Sequence, residues 1–166
     1  MALKADRHEE STDISYFYNA GTATRGGVVC LADLGLASGA ALDQGENLVA
    51  YTTAAATSVP VGILLNDVVN KDLTRTHINQ HKDEVQQGGK VTVLTRGWVV
   101  TSNITGTPTA GALAYADDAT AGNITTDAPS SAASGNLAIG RWGSRMDDDL
   151  YAKLYVNLPG HGGGNL

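Results

Sequence analysis

The sequence predicts an all-β protein: a compact β-sandwich or small β-barrel with an extended N-terminal arm. Three observations carry that expectation. The 20 glycines and numerous threonines punctuate the chain and favour short strands over long helices. Several stretches alternate with a period of two, most cleanly near the end of the chain. There Tyr151, Lys153, Tyr155 and Asn157 interleave with Ala152, Leu154, Val156 and Leu158. Alanine supplies much of the 42% apolar share and there is one phenylalanine, so the core is thin, built from Val, Ile, Leu and a few rings. A length of 166 residues suits one domain with a moderate core.

Residues 1–27 read as the arm. The first thirteen are charged with mixed signs and are expected to be exposed. Tyr16, Phe17 and Tyr18 then gather three aromatic rings in one run. Two roles are open to them: an edge strand packed back on the body, or a sticky segment for a partner or sister subunit. The run that follows, through Arg25 to Gly26 and Gly27, reads as a hinge.

The body is expected over 28–159 and a flexible tail over 160–166. Val28-Val29-Cys30-Leu31 is a short apolar run that predicts a buried strand. Glycines in 34–45 predict turns, and 48–53 and 60–65 predict two further strands. Residues 66–87 form the most polar segment, with neither Gly nor Pro. They are read as an excursion with one helical turn, lying over the surface or into a neighbour. The stretch 88–118 organises the rest. Val91, Val93 and Thr95 alternate with Thr92, Leu94 and Arg96, and alternation resumes at Trp98. Gly97 between them predicts a bulge or bend, giving one long bent strand or two joined strands. Residues 110–115 and 122–126 predict a strand pair, and 129–135 a loop. Residues 137–142 predict a strand leading to a turn at Asp147-Asp148-Asp149. The last strand is expected to stop at Pro159.

Reactive chemistry is hard to assemble from this chain. The formal charge is −6, with acids and bases scattered, so no basic face for nucleic-acid phosphates is expected. Cys30 is the single cysteine, which excludes an intramolecular disulfide, and its apolar run suits a core. Gly88-Gly89-Lys90 fails as a phosphate loop, because Glu84 stands at the first glycine position and Val91 at the Ser/Thr position. His77 and His81 would share a helix face, but Asp83 and Glu84 alone do not complete a metal site. Asp117-Asp118 and 147–149 read as acidic turns rather than calcium sites. No acid, base and nucleophile converge, so neither catalysis nor a cofactor or metal is expected. The opening residues lack the apolar run of a secretory signal, and no stretch reaches the ~18 apolar residues of a membrane helix.

The chain does resemble the small decoration, or cement, proteins of tailed-phage heads. The pieces that carry the likeness are Pro60-Val61-Gly62-Ile63-Leu64-Leu65, the run from Gly89 through Trp98 to Thr101, Ala110-Gly111-Ala112-Leu113-Ala114-Tyr115, and Ala138-Ile139-Gly140-Arg141-Trp142 before the final strand. The resemblance implies a non-enzymatic virion protein, assembled in the host cytoplasm and placed on the outer capsid surface. It implies the major capsid protein as partner and a homotrimer that clamps neighbouring capsid subunits. Tyr16, Phe17, Tyr18, Arg25, Trp98 and Trp142 are the expected capsid or subunit contacts. A second class, an adhesion module binding a glycan or receptor, would use Trp98, Trp142 and Tyr115.

Overall fold

The computed structural model describes residues 2–32, 47–55, 57–128 and 138–158. The turns expected in 34–45, the loop at 129–135, Pro159 and the tail at 160–166 lie outside the described residues. Twelve strands follow in chain order: β1 (His8–Asp13), β2 (Phe17–Tyr18), β3 (Val28–Leu31), β4 (Leu48–Ala50), β5 (Pro60–Leu64) and β6 (Asp67–Val69) come first. They are followed by β7 (Glu84–Gln86), β8 (Val93–Thr101), β9 (Leu113–Ala116), β10 (Ile124–Thr125), β11 (Gly140–Trp142) and β12 (Ala152–Asn157). A 3-10 turn, Gln80–Lys82, falls inside the polar excursion, where the sequence predicts a helical turn. The fold is all-β.

The main sheet runs β10-β9-β11-β12-β8-β5-β3-β4-β2, with β1 also paired to β8. It is open at both ends of that path, so the barrel alternative gives way to a sandwich-like arrangement. β8 is the common strand. Its start pairs with β5 through Leu94 and Val93, and the remainder pairs with β12 from Arg96 to Thr101. The sheet changes direction between those two pairings. Leu94 and Val99 reach the same core although five residues apart, which strict alternation forbids. Gly97 sits at this break with φ +140°, and a Cβ there would stand 2.1 Å from the His8 carbonyl oxygen. The bend expected at Gly97 is real, and close approach of β1 is what demands the glycine.

Two apolar clusters lie on opposite faces of the β3–β5 layer. Val28, Cys30, Ile63 and Leu65 face Ala114, Ile139, Trp142, Leu154 and Val156. Val29, Val61 and Leu64 face the other way, toward Tyr16, Tyr18 and Val68. Burial pushes the Cys30 thiol up to about 12, which leaves it a core residue rather than a nucleophile.

The N-terminal segment is built into this body. Leu3 is buried in the first cluster and bridges to Thr101, while β1 pairs along β8. β2 joins β4 in parallel, and Tyr16 and Tyr18 close the second cluster. Of the two roles open to these rings, the structure shows the edge strand. Gly26 and Gly27 are not exposed hinge residues either: both are buried. Gly26 N donates to Leu64 O, and Leu64 N donates to Gly27 O. Gly27 and Gly122 grip the Tyr51 ring, which a Cβ at Gly122 would meet at 2.7 Å. Glycine there serves tight packing, which in sequence looks the same as flexibility.

Candidate functional site

Among the described residues, the half-sheet β9-β11-β12-β8-β1 buries one face and leaves the other uncovered. On β12 Ala152, Leu154 and Val156 are buried, whereas Tyr155 and Asn157 are exposed. On β11 Gly140 and Trp142 are buried and Arg141 is exposed. Directly opposed residues of antiparallel strands project to the same side. The register therefore sets one continuous row across five strands. Leu113 opposes Arg141, Arg141 opposes Tyr155, Tyr155 opposes Trp98, and Trp98 opposes His8. At about 4.8 Å per strand the row is about 19 Å long.

The row is ordered by its own contacts. Lys153 Nζ stands 3.8 Å from the centroid of the Trp98 ring and 5.2 Å from that of Tyr155. Such cation–π contacts hold three side chains in one arrangement without burying any of them fully. Arg141 Nη1 donates to the Gly111 carbonyl at 2.5 Å, which aims the guanidinium along the sheet. A Cβ on Gly143 would stand 2.5 Å from the Tyr155 ring, so the glycine makes room for the edge of that ring. Tyr155 is 47% exposed and Leu113 37%. Half-exposed aromatic rings on a rigid sheet are the raw material of a protein interface.

A cleft opens at the far edge of β1, lined by Leu3, Arg7, His8, Arg25, His81 and Asp83. Arg25 anchors it. Its backbone N donates to Asp67 Oδ1 at 2.8 Å, and Nη1 donates to Lys82 O at 2.8 Å and Asp83 Oδ2 at 2.6 Å. These bonds tie the polar excursion to the N-terminal segment. The excursion itself is a parallel pair, β6 with β7, joined through the Lys71–Glu84 ion pair. Its 3-10 turn carries exposed His81, and His77 is exposed too. Among the described residues no three His, Cys, Asp or Glu side chains are grouped to hold a metal ion.

The family model described as "Structural cement protein (E217 gp24/Pam3 gp6)" matches residues 7–157. The chain belongs to this family of phage structural cement proteins. A search of curated proteins found no match. The matched span runs from β1 to β12 and so includes the whole of the uncovered half-sheet.

The six residues expected to make contacts are scattered over this cement protein. Tyr16, Tyr18, Arg25 and Trp142 are buried, Phe17 is half-buried beneath Lys90, and only Trp98 joins the row. Of the buried four, Arg25 alone lines the cleft. The Trp142 ring fills the main core, and Tyr18 meets Tyr51 edge-on with centroids 5.9 Å apart. Tyr155, Arg141, Leu113 and His8 had no such expectation attached. Their signal was present in part: the outward half of the alternating 151–158 run holds Tyr151, Lys153 and Tyr155.

Proposed function

We propose that this cement protein binds the outer surface of an icosahedral phage capsid and stabilises it by bridging neighbouring capsid subunits, without catalysis. The observation that carries the reading is the ordered row Leu113–Arg141–Tyr155–Trp98–His8, an aromatic face left bare by a chain of the cement family. Trp98 and Tyr155 are the anchors, and Arg141 and Lys153 supply the polar contacts beside them. Tyr16, Tyr18, Arg25 and Trp142 act indirectly, by fixing the body that presents the row. Among the described residues β1 pairs only with β8, so its outer edge is open to strand addition by a neighbour. A homotrimer would multiply one modest face into three, and avidity would do the rest.

The test is co-sedimentation of the purified protein with empty shells of its phage's major capsid protein. Saturable binding by the wild type, lost in Trp98→Ala/Tyr155→Ala while the variant stays folded, supports the reading. A wild type left in the supernatant, or retention of a glycan on an array through Trp98, would favour the adhesion class instead. Light scattering of the free protein and cryo-microscopy of decorated shells read the trimer: a mass near 17.1 kDa, that of one chain, together with isolated single copies on the shell removes it.

A further inference from the structure

Resting on the capsid-contact reading of this face, we infer that its occupant is acidic: an extended segment of the capsid protein that sets carboxylates against Arg141 and Lys153. The charge distribution carries the inference. The whole chain has 17 acids against 11 Lys and Arg, yet the outward side chains of β9, β11 and β12 reverse that balance. They are Leu113, Tyr115, Arg141, Lys153, Tyr155 and Asn157, two cations and no acid. On β8 the outward Arg96 is matched by Glu10 at 2.9 Å, so this pair adds no net charge. Among the described residues neither Arg141 nor Lys153 pairs with a carboxylate. Arg141 keeps guanidinium donors beyond the one given to Gly111, and Lys153 is held in place by ring faces rather than by an acceptor.

Spacing points the same way. Arg141 opposes Tyr155, two residues along β12 from Lys153, so the two cations are diagonal neighbours about 7–8 Å apart. Residues i and i+2 of an extended strand lie about 6.8 Å apart on one face. An acidic partner strand with carboxylates at positions i and i+2 meets both cations, while apolar residues further along that same face lie on Tyr155 and Trp98. A nucleic-acid lattice fits less well. Two free cations neutralise few phosphates, and the rest of the chain repels them.

Two measurements test the inference, with Arg75→Glu as an off-face control. In titration calorimetry, poly-L-glutamate is expected to bind the free protein at low salt. That heat should vanish in Arg141→Glu/Lys153→Glu and persist in Arg75→Glu. With empty shells, the charge reversal is expected to weaken binding by about tenfold or more and to flatten its salt dependence. Arg141→Gln/Lys153→Gln guards against misfolding and should weaken binding less, and Arg141→Lys/Lys153→Arg should restore most of it. Shell binding by the wild type that survives the reversal unchanged overturns the inference and leaves the capsid reading standing. Failure of the wild type to bind shells sinks the capsid reading, while glutamate binding lost on reversal still supports the acidic occupant. Preference for duplex DNA over polyglutamate through the same two residues overturns it as well.

Discussion

β5 and β12 are both central strands of one sheet, and they could hardly be more different. All five residues of β5 are buried, including Ile63 and Leu64 with no exposure at all. β12 alternates, with Ala152, Leu154 and Val156 inside and Lys153, Tyr155 and Asn157 outside. The cause is coverage. β5 lies between two apolar clusters, because Tyr16, Tyr18 and Val68 roof the face that the other half-sheet does not reach. Nothing among the described residues roofs β12. A sheet covered on both faces reads as a continuous apolar run, and one covered on a single face alternates. Among the described residues the chain thus covers one of its two layers on both faces and the other on one face alone.

Removing the roof is expected to have the largest effect. Deleting residues 1–24 takes away Leu3, Tyr16 and Tyr18 and strips β1 from β8. Each large buried side chain is worth roughly 1.5–3 kcal/mol, a sum comparable to the whole stability of a small domain. Thermal melting should show loss of cooperative folding. If a folded, soluble body survives with an unchanged midpoint, the roof is not structural and the comparison fails. Leu64→Ala, inside the doubly covered layer, should cost about 2–5 kcal/mol by denaturant titration. Tyr155→Ala on the bare layer should cost under about 1 kcal/mol, yet weaken shell binding. The two substitutions separate a residue that folds the protein from one that serves a partner. Equal stability losses would erase the distinction.

The same contrast explains what could be read in the sequence. Period-two patterning at 151–158 exposes β12, the run at 60–65 exposes β5, and Gly97 inside a strand pattern marks the bend of β8. Those signals are local. The charged stretch that forms β1 reads as a free arm because an exposed edge strand is under pressure to be polar. The Arg25-Gly26-Gly27 run reads as a hinge, since glycine for close packing against Tyr51 and Leu64 looks identical to glycine for mobility. The candidate face was the least legible part. Its row joins residues 8, 98, 113, 141 and 155, and only the register between strands places them side by side. Arg25 stands out in the sequence beside Gly26 and Gly27, but its partners at Asp67, Lys82 and Asp83 are set by tertiary packing of the excursion.

The smallest expected effect compares two carboxylates, one in each kind of surroundings. Burial pushes the Asp117 carboxyl up, but Thr105 Oγ1 at 2.6 Å and the backbone N–H groups of Ala119 and Thr120 outweigh it. Its pKa is held below the ordinary 3.8. Asp147 is also held low, chiefly by the Tyr151 N–H and then by Lys4, but it is exposed in a turn beside the bare layer. A carboxyl whose folded pKa is depressed adds stability that is fully present above its unfolded value. That stability fades as the pH falls through the folded one. Both groups therefore contribute at neutral pH and lose their contribution below about pH 4. They differ in what replaces the lost charge. Water can solvate a protonated Asp147, whereas protonated Asp117 loses the charge that strengthens its bonds from Thr105 and two backbone N–H groups and brings an extra O–H donor into a closed site. Melting curves from pH 7 to pH 2 should show Asp117→Asn lowering the midpoint at neutral pH and flattening the acid limb. Asp147→Asn should change both far less, and added salt should shrink its effect further. A reversed order would mean that the turn beside the bare layer, and not the closed loop around Asp117, governs the acid stability of the protein.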